Sequence, residues 1–225
     1  MDGSPALLAV DTGSPVASVA AGRRGGPATV RTVEQRRSSE SLLRLIDEAL
    51  AEAGLRLEEL DGLLALAGPG SFTGLRVGLA TLLGLHQALG VPATTLDTFD
   101  VLAFAASESR ATSGRRSGAA PVLAVVDALR GDWFTRLSTP AGPTEEPELR
   151  RPEDIAALAP CVVSGFGAGD LVAASGAPAG MTAFEPAELA SSTLRLALLT
   201  PPAWDAGRLS RPRYLRPPAV TPAPR

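Results

Sequence analysis

Two stretches of this chain carry side chains and spacings that could do chemistry. Asp11-Thr12-Gly13 closes a short apolar run, Ala6–Val10, and Gly68-Pro69-Gly70-Ser71-Phe72-Thr73-Gly74 closes another, Gly62–Ala67. A carboxylate at a strand end can hold a divalent cation or a metal-bound phosphate. It can equally cap the backbone amides of its own turn. The glycine segment permits close backbone approach, and its amides, with the N-terminus of the next helix, can hold an anion. The same segment reads as a tight strand–helix turn whose glycines serve packing. No cofactor or metal is expected; Asp11, Thr12, Gly68, Gly70, Ser71 and Thr73 are the candidates should one bind. Asp127, which closes the run Pro121–Val126, is the counterpart of Asp11 and reads first as a turn cap.

The side-chain inventory excludes several chemistries. Of the 225 residues, 21 are basic, every one Arg, and 24 are acidic, for a net charge of −3. Without Lys there is no Schiff base and no phosphate-gripping lysine of a Walker loop. His86, Cys161 and Tyr214 are each the single residue of their type. One thiol cannot form an internal disulfide, and one His with one Cys cannot complete a zinc site. The Cys161 run is apolar, so that thiol is expected to be buried and inert. The near-balanced charge gives no case for a nucleic-acid coat. The opening residues lack the basic flank and long apolar stretch of a signal peptide. Only nine residues separate Arg76 from His86, far short of the roughly 20 that span a bilayer. A cytoplasmic protein without a membrane segment is the expectation.

The elements that must position these residues follow from hydrophobic period. Ala6–Val10, Val16–Ala21 and Ala28–Glu34 read as a three-strand meander. Ser39–Ala53 switches to helical period, with Leu42, Ile46, Ala49 and Ala53 on one stripe and Ser38 or Ser39 as cap. Gly62–Ala67 is a strand, Leu75–Leu89 a helix stopped by Gly90, Val91–Thr95 a strand, and Leu96–Ser107 a helix capped by Asp97 or Thr98. Arg110–Ala120 reads as a linker between an N-terminal lobe, 1–109, and a smaller lobe, 121–200. The second lobe opens on a hairpin, Pro121–Val126 with Asp132–Leu137. Loop-like Thr139–Arg151, a short helix Pro152–Ala159, the strand Cys161–Ser164 and a last helix Pro186–Leu199 follow. That last helix is placed to pack back on the first lobe. Residues 201–225 read as an extended Arg/Pro-rich tail, in which Arg213-Tyr214-Leu215-Arg216 can dock on its own body or on a partner. Each half begins with a strand ending in Asp and a hairpin, which fits an α/β fold of mixed sheets flanked by helices.

The helix over 75–89 has a thin side where Gly74 and Gly78 stand four residues apart, extended by Thr81 and Gly84. Beside it runs an apolar stripe of Leu79, Leu82, Leu83 and His86. Core burial and a helix-mediated protein interface both account for it. His86 shares its face with Leu79 and Leu82 and reads as a hydrogen-bonded structural histidine.

Four stretches together resemble the TsaB (YeaZ-like) family: residues 7–20, LLAVDTGSPVASVA; residues 64–92, which contain GPGSFTGLRVG; residues 122–134, VLAVVDALRGDWF; and residues 211–216, RPRYLR. The resemblance implies the actin-like ATPase superfamily, with two lobes on ribonuclease-H-like cores. It also implies a non-catalytic subunit that pairs with a TsaD-like catalytic subunit. That enzyme makes N6-threonylcarbamoyladenosine at position 37 of tRNAs reading codons that begin with A. A TsaE-like ATPase would be a third component, a homodimer would form in isolation, and any tRNA contact would be peripheral. Family interfaces use the first two helices, which points to Leu42, Ile46, Gly74, Gly78, Leu79, Leu82 and His86. Relatives commonly carry His before Ser-Glu, where this chain has Ser38. The metal-binding His pair of TsaD has no equivalent. The alternative is a small Mg-ATP-dependent kinase or ATPase of the same superfamily using Asp11 and the Gly68–Gly74 loop; a glycopeptidase ranks last.

Overall fold

The computed structural model describes residues 4–26, 28–34, 38–113 and 120–216, without the side chains of Ser38 and Ser39. The proposed Ser38 or Ser39 cap, most of the 110–120 linker and the last nine residues of the tail lie outside what it describes.

The first sheet is built around β1 (Ala6–Asp11), whose six residues are all buried. Its neighbours are β2 (Val16–Arg23), antiparallel, and β4 (Gly62–Leu66), parallel. The edges are β3 (Thr29–Glu34) and β5 (Ala93–Leu96), giving the order β3-β2-β1-β4-β5. Burial on both faces explains why β1 and β4 read as continuous apolar runs rather than alternating ones. Leu8 and Val10 point into a core shared with α1 (Ser38–Glu52) and α2 (Phe72–Leu89). Leu7 and Ala9 point the other way, against Ala190, Leu194 and Ala197 of α6 (Ala190–Leu199). The last helix therefore crosses back to cover the first sheet, as its apolar stripe requires.

The second sheet repeats the plan. Its central strand β6 (Val122–Asp127) pairs antiparallel with β7 (Trp133–Thr139) and parallel with β10 (Val162–Ser164), which is parallel to β11 (Thr182–Phe184). Short strands β8 (Gly142–Pro143) and β9 (Glu148–Arg150) both pair with β7. Between the sheets lies α3 (Thr98–Thr112), with Phe99 and Leu102 in one cluster with Ala124 and Leu189.

Several expectations are corrected. Arg110–Thr112 belongs to α3, not to a linker. The last helix starts at Ala190 rather than Pro186, because the Glu188 carboxylate accepts from Ser191 N at 3.0 Å and so closes the helix there. Residues 139–151 contain β8 and β9. Besides α4 (Pro152–Ile155) there is α5 (Ala168–Ala174), a helix of small residues anchored by buried Leu171, which has too little period to be read. The tail is not simply extended: Ala206–Ser210 forms a 3-10 turn whose Leu209 sits in the main core. Just upstream, Trp204 lies against Gly62, where a Cβ would strike its ring. That contact spans 142 residues of sequence and leaves no local trace.

Candidate functional site

Asp11 and the glycine segment meet. The carboxylate Oδ1 of Asp11 accepts from Gly13 N at 2.9 Å and Ser14 N at 3.2 Å, which makes the turn after β1. The carbonyl of Gly13 then accepts from Ser71 N at 2.8 Å, and a Cβ on Gly70 would lie 2.9 Å from that same oxygen. Ser71 caps α2, accepting from Gly74 N at 3.3 Å, while Leu75 N donates to Ser71 O. Gly90 ends the helix in the left-handed region at φ 69°, where an L side chain is strained.

Thr12 explains Gly78. Its buried hydroxyl donates to Gly74 O at 2.7 Å and accepts from Gly78 N at 3.1 Å. The side chain thus enters the hydrogen-bond ladder of α2 from the turn after β1. A Cβ on Gly78 would fall on Thr12 Oγ1. The thin side of α2 admits the chain's own first strand.

Six of the seven expected interface residues are buried within the chain itself. Leu42, Ile46, Leu79 and Leu82 are all in the main core, and Gly74 and Gly78 are buried. The four apolar side chains are covered by the chain's own core. His86 is partly buried, with Nδ1 2.7 Å from Val91 O, the structural role its apolar face suggests. The outer side of α2 carries Thr73, Arg76, Ala80, Gly84, Gln87 and Ala88, all exposed. On α1 the exposed large apolar residue is Leu43.

Asp127 repeats the turn of Asp11, accepting from Leu129 N at 2.7 Å, but on the surface. Asp11 is only 1% exposed, and its Oδ2 has no hydrogen-bond partner. Burial pushes this carboxyl up to about 6, against the lowering effect of the Ser14 and Gly13 hydrogen bonds; the Glu188 charge adds to the rise. The native chain therefore holds a proton that the unfolded chain, at 3.8, has already released. Stability from this group is full below pH 4 and is lost as pH rises through 6. Asp11→Asn keeps the acceptor for Gly13 and Ser14 without the charge. Its stability relative to the parent is expected to rise by roughly 3 kcal/mol between pH 4 and pH 8. Urea midpoints at the two pH values check this; equal gaps would contradict it. Cys161 is buried and its thiol is pushed up to about 11 by burial, so it is inert at neutral pH.

Sequence reasoning missed a charge network between the sheets. Arg136 of β7, 6% exposed, reaches Asp100 and lies 3.5 Å from Asp97, and Arg213 also bonds Asp97. Asp97 was legible as a helix cap, a role it keeps toward Phe99 N at 2.8 Å. Its two arginines come from 39 and 116 residues downstream, and no spacing rule links them. Among the described residues no group of three or more His, Cys, Asp or Glu could hold a metal, and no helix is long and apolar enough to cross a membrane.

Two mixed sheets of matching order, flanked by helices, place the chain in the actin-like ATPase superfamily. Within that class its resemblance is to TsaB. The Haemophilus influenzae "tRNA threonylcarbamoyladenosine biosynthesis protein TsaB" is 37% identical over 128 residues, 57% of this chain and 51% of that protein. The Escherichia coli protein of the same name is 30% identical over 57% of this chain and 52% of its own length. A family model described as "TsaD: tRNA N6-adenosine threonylcarbamoyltransferase" matches residues 28–137. A solved Pseudomonas aeruginosa structure, described as an uncharacterized protein with similarity to peptidase YEAZ, superposes with a TM-score of 0.73. It is 26% identical, over 94% of this chain and 100% of that one. The chain spans about half the length of the curated relatives it matches.

Proposed function

We propose that this chain is a non-catalytic subunit for the synthesis of N6-threonylcarbamoyladenosine at position 37 of tRNA, acting by pairing with a TsaD-like transferase. The likeness to the two TsaB proteins carries the reading. The packing role of the glycine segment supports it: Ser71 N ties the segment to the turn after β1, while Gly74 N and Leu75 N close the first turn of α2 on Ser71. A TsaE-like ATPase is the expected third component, a homodimer the expected state in isolation, and tRNA contact peripheral.

The docking face in this reading is the outer side of α2, with Ala80 and Gly84 at its centre, rather than the buried stripe. A Cβ on Gly84 meets nothing within 4 Å. Replacing an exposed mid-helix glycine stabilises by about 0.5–1 kcal/mol. Gly84→Arg is therefore expected to fold at least as well as the parent while losing at least tenfold in affinity for the TsaD-like partner. Co-purification and thermal melting check both halves. Undiminished pairing would remove α2 from the interface.

A further inference from the structure

We infer that Arg213–Arg216 is a plug that the chain keeps in the crevice between its own lobes. In α/β sheets, ligands enter outside the carboxyl ends of the parallel strands. Here those ends are Leu66 and Leu96 in the first sheet and Asp127 in the second. The four tail residues touch both sets. Arg213 N donates to Ala67 O at 2.7 Å, just beyond β4, and its guanidinium bonds Asp97, just beyond β5. The fit is close: a Cβ on Gly68 would lie 2.7 Å from Arg213 O, and Gly68 has φ 107°.

Leu215 then turns inward and packs with the cluster of Leu66, Phe99, Phe134 and Phe166, drawn from both lobes. Arg216 reaches the second lobe, donating to Ala128 O at 3.0 Å and Asp132 Oδ2 at 2.9 Å, just beyond β6. Tyr214 faces the other way, its ring tilted against that of Phe72 with centroids 4.6 Å apart and its hydroxyl accepting from Arg76 Nε at 3.0 Å. Alternate side chains thus fill the crevice and tie the segment to the start of α2.

The two ends of the segment are held unequally. Upstream, Leu209 is buried in the main core. Downstream, the Arg216 and Asp132 side chains are 36% and 25% exposed, so water competes for that pair. The plug is a removable segment on a fixed stem, and while seated it closes the crevice to a small-molecule ligand. This inference does not depend on pairing with any partner.

Hydrogen exchange on the full chain, with the dye 8-anilinonaphthalene-1-sulfonate as an apolar probe, tests it. In the double variant Leu215→Ala, Arg216→Ala the Arg213 amide is expected to exchange at least tenfold faster than in the parent. Dye fluorescence is expected to rise severalfold, and β1 amides to stay as protected as before. Arg216→Ala alone removes only the half-exposed anchor and is expected to speed Arg213 exchange two- to fivefold, so it carries the test should the double variant fail to fold. Unchanged exchange at Arg213 would overturn the inference. Loss of β1 protection in step with Arg213 in the single variant would also overturn it, since the segment would then be part of the fold and not a plug.

Discussion

Leu82→Asp is expected to leave no folded chain, rather than a folded chain that has lost a partner. Leu82 is 0% exposed and lies in the main core with Leu8, Val10 and Leu79. Removing a buried leucine side chain costs about 2–5 kcal/mol. A buried, unpaired carboxylate adds a penalty of several kcal/mol. Together these come to about 5–10 kcal/mol, a large share or all of the roughly 5–15 kcal/mol that holds a typical domain together. Circular dichroism and the soluble yield read the outcome directly. A Leu82→Asp chain with the parent's melting temperature and no pairing would restore the buried stripe as an interface and contradict the core described above. Gly84→Arg, two residues along the same helix, is the matched control: it too adds a charge, but on the solvent side, and is expected to spare the fold.

The contrast between Leu82 and Gly84 shows how far the sequence can be read. Helical period identifies which side of α2 is covered, since Leu75, Leu79 and Leu82 recur at the right spacing. It does not say which body covers it. The answer lies with Thr12, whose hydroxyl reaches Gly78 N across 66 residues, a distance no local pattern encodes. The same limit applies to the tail. Trp204 and Leu209 look like isolated apolar residues in a proline-rich stretch until Gly62 and the core beneath α2 are brought to them.

Where a reading needed only local physics, it matches the structure. β1 and β4 are apolar throughout because α1 and α2 cover one face and α6 the other. Gly90 ends α2 and Asp97, one of the two residues offered for the role, caps α3. His86 and Cys161 take the structural positions their apolar surroundings suggested. The candidate site was legible as two segments, Asp11–Gly13 and Gly68–Gly74, but not as a joint between them. What the structure adds to its two open readings, ligand loop or packing turn, is the bond from Ser71 N to Gly13 O that joins the segments. The Arg136–Asp97–Arg213 network was not legible at all, because it needs the relative placement of two lobes and a tail.

The central claim is that this chain supports tRNA threonylcarbamoylation without performing the transfer itself. The expected effect of its loss is large, because in the proposed pairing the transferase works through the heterodimer and a non-catalytic subunit acts by being present. The gene product supplied as Gly84→Arg is expected to restore little of the lost modification, since it folds but does not pair. Supplied with Asp11→Asn, whose change is buried beneath the glycine segment and away from the outer side of α2, it is expected to restore most of it.

Nucleoside mass spectrometry of tRNA from cells depleted of this protein tests the claim most directly. The account predicts that N6-threonylcarbamoyladenosine falls severalfold while other modified nucleosides hold their levels. An unchanged amount of N6-threonylcarbamoyladenosine after depletion would contradict it.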